Sequence, residues 1–287
     1  MIAAVATAAQ RAEFLRRLAA RPFFAATMGT HLALFGEKTG CGWGFYLLPG
    51  GAALATMGTA ASLCGLLPGA QDAAELAAFL AFMGVDKVSC ERPVLTGQPG
   101  WGRPKALYRR TLPGGAALPL PPRPAVLDGL ILDRAPAMRP VSRLLFPDHP
   151  GEQDQFYSVA CTSIAHGIGC CRALRQGDEV VSTVGCYERA PREAYLAAGV
   201  TEAARRGQGI GGWLIAETAN ELAAGGAAVT LLCEQERCRF YDRLGFPRSG
   251  LVWQYKRSGQ QNNRSAQAPA PRNGVGRGAA KENNTER

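Results

Sequence analysis

The apolar positions between residues 137 and 256 change period in a readable order. "AMRPVSRLLF" (137–146) and "GEQDQFYSVACTSIAHG" (151–167) carry the spacing of helices. "IGCCRALRQ" (168–176) and "EVVSTVGCYER" (179–189) read as strands joined by a turn at Gly177-Asp178, and "EAYLAAGV" (193–200) as a third strand. A glycine-rich stretch follows. Ile215, Ala219 and Leu222 then fall at i, i+4 and i+7 of a helix that Gly225-Gly226 stops. "AAVTLLC" (227–233) is a strand, "RCRFYDRLG" (237–245) a short helix closed by Gly245, and "GLVWQYK" (250–256) a last strand.

The preceding residues are also mixed. "RAEFLRRLAA" (11–20) is amphipathic at helical spacing. "HLALFGE" (31–37) and "GWGFYLLPGGAALATMG" (42–58) read as strands, the latter turning through Gly50-Gly51. "QDAAELAAFLAFMG" (71–84) is a helix with Asp72 and Glu75 at capping-box spacing and Gly84 as a left-handed stop. "VDKVSCE" (85–91) is a strand. Both parts hold strand, helix and strand, which suggests two distant copies of one design. "LPGGAALPLPPRPAV" (112–126) separates them, because its prolines remove backbone donors and favour extended chain. The expected organisation is an N-terminal α/β domain (1–112), a linker (113–125), a mixed α/β domain (126–257) and a disordered tail (258–287). The tail is almost free of large apolar residues.

Composition narrows the function. The chain has 287 residues, 47% of them hydrophobic, and a net charge of +9. A mild positive excess suits an anionic ligand without selecting one. "PGWGRPKALYRR" (99–110) reads as a solvated loop and strand rather than as an RNA-contacting patch. The nine cysteines form no CxxC pair, and Cys161, His166 and Cys170 lack a fourth ligand at workable spacing, so no metal site is expected. Buried or free thiols in a reducing compartment are the expected state, burial being the reading for Cys186. No uncharged run spans a bilayer and the first residues lack a signal-peptide pattern. A cytoplasmic protein without membrane contact is expected. Trp213 and Trp253 read as core.

The chemistry concentrates in "RRGQGIGGWLI" (205–215). A helix start leaves N–H groups without partners and is partly positive, and glycine lets a ligand approach the main chain. With two arginines this is a seat for phosphate or pyrophosphate. A Walker A loop is excluded because no Lys-Ser or Lys-Thr follows. Gly207, Gly209 and Gly212 spell a GxGxxG dinucleotide fingerprint, with Glu234 near the end of the next strand. However, "TEAAR" separates the loop from its strand, and no further βα unit follows.

Arg206-Gly-Gln-Gly-Ile-Gly211 resembles the [RQ]xxGx[GA] acyl-CoA loop of the GCN5-related N-acetyltransferases (GNAT), and "FYDRLGF" (240–246) resembles that family's last helix. The resemblance covers roughly residues 126–257. It implies a mostly antiparallel sheet flanked by helices and acetyl transfer from acetyl-CoA to a small-molecule or peptide amine by direct attack. It leaves open a degenerate GNAT-like N-terminal domain. By the same resemblance, Arg205, Arg206, Gly207, Gln208, Gly209, Ile210, Gly211 and Gly212 hold the pyrophosphate. Ala198, Gly199 and Val200 pair with the pantetheine. Tyr241 protonates the leaving thiolate. Glu188 and Glu234 are the candidate bases. Ala203 replaces the family's usual proline before the loop, and Glu234 stands where an asparagine is often found. A non-catalytic CoA sensor or interaction module is the alternative reading, and a dinucleotide oxidoreductase the third.

Overall fold

The computed structural model describes residues 1–37 and 42–258, so the tail beyond Ser258 lies outside the described residues. The first half contains β1 (Ala3–Ala4), α1 (Ala8–Leu18), α2 (Pro22–Phe35), β2 (Trp43–Leu47), β3 (Ala53–Met57), β4 (Ala60–Cys64), α3 (Ala70–Phe82), β5 (Lys87–Cys90) and β6 (Lys105–Leu112). The second contains β7 (Ile131–Asp133), α4 (Met138–Leu145), α5 (Pro150–Ala165), β8 (Cys170–Gln176), β9 (Glu179–Ala190), β10 (Glu193–Thr201), α6 (Ile210–Ala224), β11 (Ala228–Cys233), α7 (Cys238–Arg243) and β12 (Arg248–Lys256). Apart from α7, the two halves repeat the same order of elements.

Among the described residues all strands join one twelve-stranded sheet in the order β1-β2-β3-β4-β5-β12-β6-β11-β10-β9-β8-β7. The order is symmetric about its centre with one exchange: each half places its last strand beside the other half's penultimate strand. β12 pairs with β5, and β6 pairs with β11, all antiparallel. The parallel pairs, β4–β5 and β10–β11, occupy equivalent places in the two halves.

Several local expectations are corrected. "HLALFGE" is not a strand: residues through Phe35 end α2, which starts with Pro22 in its first turn. Phe23, Phe24, Met28, Leu32 and Leu34 are all buried, so this helix is apolar around its circumference and shows no helical contrast. α3 begins at Ala70 with Gly69 as its N-cap, so Asp72 lies inside the first turn and forms no capping box. Gly84 does take a left-handed φ of +68°. "KALYRR" is not a solvated strand: it forms the centre of the sheet, and Arg110 is fully buried. The segment before Ala125 has no regular structure, yet Leu118 is buried and its N–H donates to Asn220 Oδ1 at 2.7 Å.

The halves also share side chains. α2 of the first half lies on β9 and β10 of the second. Thr30 Oγ1 donates to the Arg189 carbonyl and accepts from the Arg189 N–H, both at 2.9 Å. Phe23 packs edge-on against Tyr195, with ring centroids 5.2 Å apart. Tyr255 of β12 is fully buried among first-half residues such as Leu63, Leu80 and Val88.

Candidate active site

β10 and β11 pair in parallel from Glu193↔Ala228 to Tyr195↔Thr230 and then part. The cause lies in β10. Its pairing with β9 runs from Ala197↔Gly185 to Val200↔Thr183, which leaves Ala198 and Gly199 as a bulge. Ala198 has φ +56°, a left-handed conformation that costs a residue with a Cβ about 1–2 kcal/mol. A bulge bends its strand. The opening is a cleft of about 300 Å³, lined among others by Tyr195, Ala198, Gly199, Ile215, Cys233 and Tyr241.

The glycine loop follows the bulged end of β10, and α6, which it starts, reaches the cleft through Ile215. After a 3-10 turn at Ala203–Arg205, Gly207 takes φ +79° and Gly209 takes φ +80° as the N-cap of α6. Trp213 N–H closes the first helical bond, onto the Gly209 carbonyl at 3.0 Å. The N–H groups of Ile210, Gly211 and Gly212 therefore stand at the open helix start. Gly207, Gln208 and Gly209 are exposed, Gly211 is half-buried, and Ile210 and Gly212 are buried. A Cβ on Gly211 would come within 2.8 Å of Thr201 Oγ1, so glycine here lets α6 close onto the end of β10. Arg206 is exposed and donates from Nε to the Thr201 carbonyl at 3.0 Å. Arg205 is drawn toward Gln176, to which it donates, and toward Glu202 at 3.6 Å.

Tyr241 stands in the wall of the cleft. Its ring meets Phe240 and Phe246 edge-on, and burial is the main force holding its phenol above the ordinary range; Cys233 adds to this. α7 is anchored from the other half. The buried guanidinium of Arg110, on β6, donates to Asp242 Oδ1 at 2.7 Å, the Phe246 carbonyl at 2.9 Å and the Cys238 carbonyl at 3.1 Å.

The two candidate bases differ. Glu234 lines the cleft but is half exposed and pairs with Lys105 Nζ at 2.6 Å; that hydrogen bond holds its carboxyl below the ordinary range. Glu188 is outside the cleft wall, on β9 directly opposite Tyr195, with its Oε1 3.1 Å from His31 Nε2 of α2. Cys186 is buried, and burial pushes its thiol up to about 12, which leaves it inert as a nucleophile. Tyr195 and Arg237 line the cleft although no motif points to them. Tyr195 lies inside the strand before the loop, and its facing partner could be found only from the β9–β10 register. Among the described residues no three or more His, Cys, Asp or Glu are grouped to hold a metal ion, and no helix is long and apolar enough to cross a membrane.

This combination is an open helix start, a bulged strand edge and a phenol along one cleft. It fits a ligand with an anionic diphosphate end and an extended amide chain. Residues 137–246 match the family model "Acetyltransferase (GNAT) family". This segment is a GNAT acetyltransferase domain. The GNAT match spans α4 to the exit of α7 and so includes the loop, the cleft and Tyr241. Solved structures extend the likeness in fold to both halves. A GCN5-related N-acetyltransferase from Sphaerobacter thermophilus superposes with a TM-score of 0.60 at 15% identity, covering 90% of this chain and 96% of that one. A tandem GNAT protein from the clavulanic acid biosynthesis pathway gives 0.59 at 14% identity, covering 89% and 98%. A GCN5-related N-acetyltransferase from Kribbella flavida gives 0.54 at 15% identity, covering 82% and 96%. No curated protein matches the chain.

Proposed function

We propose that the chain is an N-acyltransferase that moves an acetyl group from acetyl-CoA to an amine by direct attack, with the cofactor lying between β10 and β11. The supporting observation is the parting of these strands at the Ala198 bulge, which opens a cleft walled by Tyr241 and by Ile215 of the helix that the glycine loop starts. The open N–H groups from Gly207 to Gly212, with Arg206 beside them, receive the diphosphate. Arg205, tied to Gln176 and Glu202, shapes the loop more than it meets the ligand. The edge at Ala198, Gly199 and Val200 takes the amide chain and offers an N–H to the thioester oxygen as charge develops there.

The amine nitrogen bonds to the thioester carbon, the carbon–sulfur bond breaks, and Tyr241 passes its phenolic proton to the departing thiolate. A buried phenol stays protonated at neutral pH and is therefore ready as an acid. Of the two candidate carboxylates, Glu234 lines the cleft but is held as an anion by Lys105, and Glu188 pairs with His31 outside the cleft wall.

Thermal unfolding with and without millimolar acetyl-CoA, followed by a thiol-release screen across amine classes, tests this reading. A rise in melting temperature and amine-dependent thiol release are expected. A rise without thiol release from any amine supports the CoA-sensor reading; no rise removes both.

A further inference from the structure

Cys233 closes β11 and Cys238 opens α7, and their sulfurs stand 3.9 Å apart. Both side chains are buried, and Cys233 is one of the residues that line the cleft. The guanidinium of Arg110 lies against the pair: it holds the Cys238 carbonyl, and its Nε is buried with no hydrogen-bond partner. Burial raises the Cys233 thiol, and the Arg110 guanidinium opposes that rise without reversing it. A positive group beside two thiols stabilises whichever of them becomes an anion. Tyr241 follows Cys238 by three residues on the same short helix.

We infer that Cys233 and Cys238 form a redox-sensitive dithiol, oxidised by a peroxide that enters the cofactor cleft, and that closing it displaces Tyr241. The Cys233 thiolate attacks one peroxide oxygen. The O–O bond breaks, giving a sulfenic acid and, after protonation, water. Cys238 then attacks the sulfenic sulfur and displaces a second water. Two thiols lose two electrons and two protons, and one peroxide is reduced to two waters. Bond formation requires the sulfurs to approach from 3.9 Å to about 2.05 Å. Cys233 is held in the sheet by its pairing with Tyr108 of β6, so the approach falls on the first turn of α7. The consequence for turnover rests on the role proposed for Tyr241; the bridge itself does not.

Tryptic mapping of the full chain without reductant, after a few equivalents of hydrogen peroxide, tests the bridge. Trypsin cuts after Arg206, Arg237 and Arg239, so the bridge joins peptide 207–237 to the dipeptide Cys238-Arg239. That linked pair, reversed by dithiothreitol and absent in Cys238→Ser, is expected. Its absence overturns the inference, as does preferential bridging of Cys170 to Cys186, which face each other across β8 and β9. Oxidation should also slow turnover reversibly, by roughly 100-fold for a displacement near 1 Å, while reduced Cys238→Ser keeps its response to acetyl-CoA and, with peroxide, stops at the Cys233 sulfenic acid and yields no linked peptide. A bridged protein with full turnover overturns the coupling to Tyr241. If the reduced wild-type protein does not respond to acetyl-CoA, the function proposed above fails, but the peptide map still decides the bridge.

Discussion

Tyr241 is a phenol whose proton is held by burial, and the proposed chemistry needs that proton. Tyr241→Phe should lower kcat by roughly 10²–10⁴, the usual contribution of a positioned acid, while leaving the melting-temperature response to acetyl-CoA nearly unchanged. The alkaline fall of kcat should lie above the ordinary phenol range near 10. Glu193 offers a separate test of burial. It is buried on β10, accepts a hydrogen bond from Thr230, and has its carboxyl raised chiefly by burial. The folded chain therefore binds the proton more tightly than the unfolded chain. Stability from this group is full below the ordinary carboxyl value and falls as pH rises through the raised one. Glu193→Gln should raise the melting temperature at neutral pH, and the gain should vanish in acid. Tyr241 was legible because "FYDRLGF" is a contiguous motif. The His31–Glu188 pair was not, since it joins α2 to β9 across the two halves and leaves no local periodicity.

Among the elements, the loop and the bulge carry the site together. Gln208 is exposed and has no left-handed strain, so Gln208→Glu adds a charge without forcing the backbone. Its melting temperature without ligand should match the wild type, and its response to acetyl-CoA should be lost. Ala198 already has φ +56°, and a β-branched side chain is less tolerant there. Ala198→Val should destabilise by about 1–2 kcal/mol in urea unfolding and weaken acetyl-CoA binding. The loop could be read from the sequence because glycines and arginines mark it residue by residue. The cleft could not, because it arises from the parting of β10 from β11, a relation between strands. α2 misled for another reason: a helix whose exposed positions are Pro22 and Ala33 has no polar stripe to reveal its turn. The central position of β6 was hidden by its basic residues, one of which, Arg110, is fully buried against α7.

The halves of the molecule are joined by exchange of strands as well as by the segment between them. β6, from the first half, separates β11 from β12 and brings Arg110 to α7. A fragment of residues 126–258 should therefore lack cooperative unfolding and any response to acetyl-CoA. Co-expression with residues 1–125 should restore both, and circular dichroism melts of each preparation would check this. The repeat of strand, helix and strand in both halves was visible in the apolar pattern; the exchange was not, because pairing partners so distant in the chain leave no mark on local spacing. The exchange also sets an order of events during synthesis. β5 is made early, yet its outer edge is covered by β12, which leaves the ribosome more than a hundred residues later. Until then the nascent first half presents an uncapped row of amides and carbonyls, which invites pairing with a neighbouring polypeptide. Aggregation of stalled or truncated chains, and dependence on a holding chaperone, follow from where β12 is encoded.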